Sequence, residues 1–540
     1  MREVDAGETH DLRRRVLRDH LPDPGVEYPD DRLPAAVHLG VEDDEGRVVA
    51  IATTFPEPTP HRPGARATRL RGMAVDPACQ GRGVGARLLE AVVERDAVAP
   101  AGSPDAAFDH WRRRGAPQTR HSHAFLARLR NLLRDRFPDV LADLADAGVA
   151  EIDFTRRPPP ALFPLAPEPG DEDLVGLACR RTTFEWVLRR AALAAPGVTI
   201  VPGEVAGLVA GDAAAGVPHV AGVGLAGGAV LRADLVVDAG GRRSPLPQWL
   251  AELGAEPVPE TEGDTGIVYS SRFYRVEGGY DAAAHGLVVG DLGYLKYAVF
   301  PGDNATLSIT FGVHSDDADM RRLLKPGPFT AVAAELAATR PWVEPGRGQP
   351  ISDVEVMGGL INRRRRFTAH GRPLATGVYA VGDSSICTNP LYGRGCALAM
   401  VHAVLLADTL AEAGDDPVSA AVAFAEATRT AIEPWYGAAV AQDRHDHRAR
   451  TDDEDEDESA GVGVGSLMRH GLLPAAGTDP LVWRAFIRSF NLLDPPDAIM
   501  RDPEVVLRVM ATWQARADRP PPPRLGPDRA ELLQRLAGAA

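Results

Sequence analysis

The stretch from Val378 to Leu410, VYAVGDSSICTNPLYGRGCALAMVHAVLLADTL, constrains this chain more than any other. A short apolar strand ends in Gly382-Asp383. Seven residues after Asp383 comes Pro390, then Gly393 and Gly395, then an alanine-rich helix. An aspartate at the carboxyl end of a strand can accept hydrogen bonds from sugar hydroxyls. A helix that starts near Gly395 turns its free N–H groups and the positive end of its dipole toward whatever lies in front.

The rest of the sequence sets broad limits. At 540 residues, with 44% hydrophobic and 25% charged residues, the composition is that of a soluble globular protein. There is room for roughly two to four domains. A net charge of -16 argues against a nucleic-acid partner. The four cysteines, Cys79, Cys179, Cys387 and Cys396, form no CxxC pair and no disulfide framework. They fit a reducing cytoplasm, and no metal site is expected. The N-terminal MREVDAGETHDLRRRVLRDH is charged from its second residue, unlike a signal peptide. No run of about 18 apolar residues stands out, so no membrane span is expected.

Periodicity predicts a small α/β unit over residues 1–95. Its elements are a helix at 8–17, strands at 37–41, 48–53 and 69–75, a glycine turn at 80–85 and a helix at 86–93. Residues 96–120 and 156–171 read as loops, 123–147 and 181–193 as helix, and 198–209, 220–225 and 231–238 as strands. Between Gly266 and Val313 the period changes to two and aromatics abound, which predicts an antiparallel sheet. Residues 417–445 and 480–515 read as helical. Asp452 to Glu458 are all acidic, and the charged run Arg363 to Arg366 reads as a solvated face.

Arg69 to Arg95, RLRGMAVDPACQGRGVGARLLEAVVER, contains Q-x-x-G-x-G as Gln80, Gly83 and Gly85, with Gly81 between. Such a turn lets backbone amides approach a diphosphate. This segment resembles the acetyl-CoA motif of the GNAT superfamily of acyl-CoA N-acyltransferases. The resemblance implies that Met73, Ala74 and Val75 line a pantetheine arm. It implies that Gln80, Gly81, Gly83 and Gly85 hold the pyrophosphate. The family continues with a further strand and a helix that often bears a tyrosine acid. No such segment follows Arg95, so the acyltransferase unit reads as truncated.

From Val92 onward the chain resembles a second group, the FAD-dependent oxidoreductases of the para-hydroxybenzoate hydroxylase type. VVERDAV resembles the end of a second Rossmann strand, with Glu94 as the acid on the adenosine ribose. An exposed helical Glu94 is an equal alternative. RRGAPQTRHSHAF implies Gln118 and His121 as flavin contacts, and RRTTFEWVL implies Arg181. Val205 falls where a backbone contact to adenine is expected. DLVVDAGGRRS, with Gly241, resembles the family's middle fingerprint. GDSSICTNP resembles the last one, with Gly382, Asp383 and Pro390, followed by Gly393 and Gly395. By this resemblance Asp383 binds the ribityl hydroxyls, and the helix after Gly395 stabilises the reduced, anionic ring.

Two departures stand out. The opening GxGxxG unit, expected about 20–30 residues before Glu94, is missing. The segment 69–93, built on the same strand–glycine–helix device, is one candidate for its place. The middle fingerprint also has Gly240-Gly241 where an Asp-Gly pair is usual. That makes a separate flavin reductase an alternative to direct use of NAD(P)H.

The fold expected is α/β and α+β: a GNAT-like half-domain (1–95) fused to an incomplete Rossmann-like FAD-binding domain. The FAD-binding parts are 96–265 and 354–415, with an antiparallel substrate sheet (266–353) between them and a C-terminal helical region (416–540) after. The expected function is that of an FAD-dependent oxidoreductase, a monooxygenase acting on a small organic substrate, with no catalytic base identified. Alternatives are an N-acetyltransferase using acetyl-CoA, or a non-catalytic decayed fusion.

Overall fold

The computed structural model describes residues 2–18, 25–28, 31, 36–43, 45–56, 68–80, 84, 102–111, 113, 115–214, 216–281, 285–450, 464–520 and 524–538. Contacts divide the chain into two compact units, Met1–Pro117 and Gln118–Ala540.

The first unit is built on an antiparallel sheet of β1 (Arg2–Glu3), β2 (Val37–Glu42), β3 (Val48–Pro56) and β4 (Thr68–Val75), in that order. Alternation places Leu39, Ala50 and Ala52 on one face with Val84, and Ile51 and Ala74 on the other with Leu12. The β3–β4 register slips between Ile51 and Thr53, so Gly72 and Met73 have no partner on β3. Gly72 has φ +65°, a conformation that suits glycine. Behind it the fully buried Arg13 donates to Thr53 Oγ1 (2.7 Å), to the Asp31 carboxylate and to Val26 O. The loop expected over 96–120 holds a helix, Pro104–His110. Ser103 caps its first turn, and Phe108 and Trp111 are buried.

The second unit carries eighteen strands among the described residues. A hairpin of β5 (Ala150–Asp153) and β6 (Val175–Ala178) precedes the meander β7 (Val205–Ala210), β8 (Val220–Leu225) and β9 (Val230–Arg232). Next come β10 (Val236–Asp238) and β11 (Glu260–Asp264). The large sheet then contains β12 (Ile267–Val276), β13 (Val288–Asp291), β14 (Lys296–Pro301), β15 (Thr306–His314), β16 (Gly348–Pro350) and β17 (Glu355–Met357). Its order is β13-β14-β15-β12-β16, with β17 also on β12, and every pairing is antiparallel. The period-two stretch thus forms the sheet expected of it. One face packs on Phe329 and Val332 of the Pro326–Glu335 helix and on Leu532 and Leu536 of the last helix.

The remaining strands are β18 (Ile361–Arg365), β19 (Thr368–Ala369), β20 (Arg372–Pro373), β21 (Val378–Ala380) and β22 (Ile386–Cys387). The two fingerprint strands lie side by side: β10 and β21 pair in parallel, Val236 opposite Val378. Parallel pairing leaves both carboxyl ends, Asp238 and Ala380, at the same edge.

The strand expected over 198–209 is shorter than the sequence suggests. Only Val205–Ala210 pairs, while Val198, Ile200 and Val201 are irregular and exposed. A strand needs a neighbour, and none hydrogen-bonds them among the described residues. The helical stretch 123–147 is two helices, Ala127–Arg136 and Pro138–Asp146, broken before Pro138. The stretch 417–445 divides likewise into Pro417–Ala431 and Glu433–Arg450. The Gly395–Ala413 helix is, by length and composition, apolar enough to cross a membrane, a feature the sequence reading passed over. Its Leu406 packs on Phe424 of the next helix.

Candidate functional site

The site grows from the end of β21. Val378, Tyr379 and Ala380 are buried, and the chain then turns at Gly382 (φ +60°). The Gly382 N–H donates to Nδ1 of His402 (3.1 Å), whose Nε2 meets Thr428 Oγ1 at 3.0 Å. Nδ1 must therefore be unprotonated, and burial lowers the His402 pKa to about 4. Ser384 Oγ donates to Asp238 O (2.6 Å) and ties the two fingerprint turns together.

Asp383 stands in this turn. Burial pushes its carboxyl pKa up, while the guanidiniums of Arg181, Arg242 and Arg363 pull it down. Arg181 opens the Arg181–Ala194 helix, where its Nε donates to Glu185 (2.7 Å) and its Nη1 to Cys396 Sγ. Cys396 is the second residue of the Gly395–Ala413 helix. Gly393 (φ +65°) lies against Ala124, and a Cβ there would sit 2.8 Å from the alanine methyl. A Cβ on Gly395 would meet nothing within 4 Å, so the helix start faces open space. The exposed Pro390 begins the turn that leads into Gly393.

The structure therefore gathers Arg181, Gly382, Asp383, Gly393 and Gly395 in one place. Gly241 (φ +76°) joins through its neighbour Arg242, which faces Asp383 and donates to Gly359 O (3.1 Å). The His121–Ala124 loop is held by its polar side chains. His121 Nδ1 lies 3.3 Å from Ser271 Oγ, and Ser122 Oγ lies 2.6 Å from both Ser308 Oγ and Thr310 Oγ1. Burial lowers the pKa of His121 to about 4 and that of His123 to about 3. Gln118 is half-buried, and its carbonyl accepts from the His121 N–H (3.0 Å). Val205 opens β7 and is 38% exposed. No hydrogen bond or ion pair among the described residues joins it to Asp383.

Next to the His121 loop is a small apolar niche of about 20 Å³, room for about one water, lined by His123, Phe125, Phe154, Leu287, Phe300 and Pro301. His123 thus faces the niche on one side and, electrostatically, Arg181 on the other.

Two contributors escaped the sequence reading. The run Arg363 to Arg366 is not one solvated face, since Arg363 and Arg365 are each 8% exposed. Strand parity splits the run. Arg365 reaches Glu260, Ser244 O and Ser384 O, whereas Arg364 and Arg366 reach Glu433. Period two within β18 was the available signal. Asp443, on the Glu433–Arg450 helix, accepts from Asn362 Nδ2 (2.5 Å), Asn389 Nδ2 (2.8 Å) and Tyr392 OH (2.8 Å). It clamps the turn before Gly393, and nothing local in the sequence announces it.

These residues fit the ring and ribityl end of a flavin. They offer a carboxylate for hydroxyls, guanidiniums and a helix start for negative charge, and space over Gly395. The diphosphate end fits less well. At the carboxyl ends of β10 and β21 the Gly240 N–H is taken by Asp238 Oδ1 (2.8 Å) and the Gly382 N–H by His402.

In the first unit Met73 and Val75 lie on β4 and pack toward Leu39 and Ala52, and Gln80 Nε2 donates to Val75 O (3.0 Å). Gly81, Gly83, Gly85 and Glu94 lie outside the described residues.

Comparison with known proteins assigns the first segment. Residues 7–98 match the Acetyltransferase (GNAT) family. "Uncharacterized N-acetyltransferase YitI" of Bacillus subtilis is 37% identical over 71 residues, 13% of this chain and 47% of that protein. "Protein Rv3254" of Mycobacterium tuberculosis is 28% identical over 412 residues, 70% of this chain and 81% of its own. Among solved structures, a triple mutant of the flavin-dependent brominase Bmp2 is similar at 14% identity and a TM-score of 0.47. That match covers 77% of this chain and 98% of the brominase. The GNAT resemblance read from the sequence recurs in the family match over residues 7–98.

Proposed function

We propose that residues 118–540 bind a flavin and act as an oxidoreductase, a monooxygenase on a small organic substrate. The observation that carries this is Asp383, set at the end of a parallel strand pair beside Arg181 and the Gly395 helix start. A bound flavin supplies the electron-pair chemistry. The chain's own residues orient and shield it. Asp383 would accept from ribityl hydroxyls, and the N–H groups after Gly395 would stabilise the charge that the ring gains. The apolar side chains around His123 would shield this side of the site from water. Electrons come from NAD(P)H or from a separate flavin reductase. The test is the visible spectrum of the purified, flavin-saturated protein. Absorbance near 450 nm (an approximate flavin property) that survives desalting supports this function. A colourless protein rejects it.

A second activity rests on the GNAT match and on β4. Gly72 and Met73 have no partner on β3, and the outer edge of β4 is unpaired among the described residues. Backbone amides there are free to meet an acyl-CoA. Calorimetric binding of acetyl-CoA, lost in Gly83→Asp, supports acyl transfer to an amine. Binding of neither ligand leaves a decayed fusion.

A further inference from the structure

Arg363 lies in β18 directly opposite Cys387 of β22, three residues past the Gly382–Ser384 turn. Arg365, on the same face of the same strand, touches the carbonyl oxygens of Ser244 and Ser384, so this face lies against both fingerprint turns. Arg363 is 8% exposed as a residue, and its side chain is nine-tenths buried. Its Nη1 has a long contact to Glu262 (3.6 Å), and its Nε and Nη2 are buried with no hydrogen-bond partner.

Nε and Nη2 are the two donors on one side of a guanidinium. They point in parallel and match two oxygens of one phosphate or carboxylate. Leaving both unmet in a buried place is costly, and buried charged donors are normally paired. Arg242, half-buried across the same turns, gives one N–H to Gly359 O and enters no ion pair among the described residues. Asp383, between these arginines, does not bond to either of them among the described residues.

At the same edge, backbone recognition of a diphosphate is weakened, because the Gly240 and Gly382 amides are already bonded within the chain. We propose that the site recognises a flavin mononucleotide, its terminal phosphate monoester held by the Arg363 and Arg242 guanidiniums instead of a glycine loop. This rests on the flavin function proposed above. It changes the cofactor from a dinucleotide to a mononucleotide and assigns two side chains to the phosphate.

The experiment titrates the flavin-free full-length chain with riboflavin, FMN and FAD, followed by flavin fluorescence. The expected result is that FMN binds at least about tenfold tighter than riboflavin, and FAD no tighter than FMN. Millimolar inorganic phosphate should weaken FMN binding and leave riboflavin binding unchanged. Arg242→Gln and Arg363→Gln should each bring FMN down to the affinity of riboflavin, and Arg363→Lys should restore part of the difference. Circular dichroism of each variant checks folding, and the more exposed Arg242→Gln decides if Arg363→Gln does not fold. Equal affinity for riboflavin and FMN, or FAD at least about tenfold tighter than FMN, overturns the assignment while leaving a flavoprotein. Failure of all three flavins to bind removes the flavin function as well.

Discussion

Arg180 and Asp303 form an ion pair sealed from solvent, Nη2 to Oδ2 at 2.5 Å with side-chain exposures of 1% and 0%. Asp303 also accepts from the Arg180 backbone N–H (2.8 Å) and from Thr183 Oγ1 (2.9 Å). One carboxylate therefore fixes the start of the Arg181 helix to the β14–β15 turn, 123 residues away. Removing one partner strands the other charge. Arg180→Met and Asp303→Leu should each cost about 3–5 kcal/mol in urea unfolding. The double variant should recover part of that loss. Additive losses would show that the pair is not a unit.

Acid should loosen the flavin-site turns before it unfolds the chain by carboxylate protonation. His402, His121 and His123 all have folded pKa values below the ordinary 6.5 because they are buried neutral. Each therefore contributes stability that is complete above about pH 6.5 and is lost as pH falls toward about 4 for His402 and His121 and about 3 for His123. For His402 the full effect is at most about 3 kcal/mol. Melting temperature measured from pH 7 to pH 4.5 should fall, and His402→Asn should flatten that slope. An unchanged slope in the variant would refute its share.

Asp443 should control the mobility of the Asn389–Arg394 turn. Asp443→Ala leaves the amides of Asn362 and Asn389 and the Tyr392 hydroxyl without their acceptor. A loss of about 2–3 kcal/mol is expected. Hydrogen exchange should speed up across 387–395 and stay unchanged in the distant β7–β8 hairpin. Uniform acceleration would mean only global destabilisation.

Gly393→Ala meets two obstacles at once, a left-handed φ of +65° and the Ala124 methyl at 2.8 Å. A cost of about 1–3 kcal/mol is expected from strain and overpacking. Ala124→Gly in the same background should relieve the contact and leave only the backbone part. Calorimetric melting of the single and double variants separates the two.

In the first unit, Arg13→Met should destabilise by about 3 kcal/mol, since it leaves the Asp31 carboxylate without its partner. Asp31 is held below the ordinary carboxylate range, by Arg13 and the Tyr28 amide against the upward push of burial. The wild-type advantage is present above about pH 4 and disappears below it. Unfolding of the variant at pH 3 and pH 7 checks this.

The legible parts of this chain were those whose information is local. Alternation between Gly266 and Val313 foretold a paired sheet, because one face of β15, Leu307, Ile309, Phe311 and Val313, is wholly buried. The glycines at 382 and 393 marked turns because left-handed backbone needs them. Val198–Val201 misled because apolar content gives strand tendency, while strand formation needs an adjacent edge. Arg180–Asp303 and Asp443–Asn389 could not be read, since each joins segments far apart in sequence. The arginine run was misread because charge was weighed before pleat.

That run has a consequence for how this region can change. β18 lies between fingerprint turns on one side and the Glu433 helix on the other, with cations facing both. Apolar packing contributes little there, so a single neutral replacement abandons a carboxylate on one flank and leaves the opposite flank intact. Arg364 and Arg365 should accept substitution only as matched pairs, in step with Glu433 and Glu260 respectively. Any isolated drift at either should leave a lopsided joint.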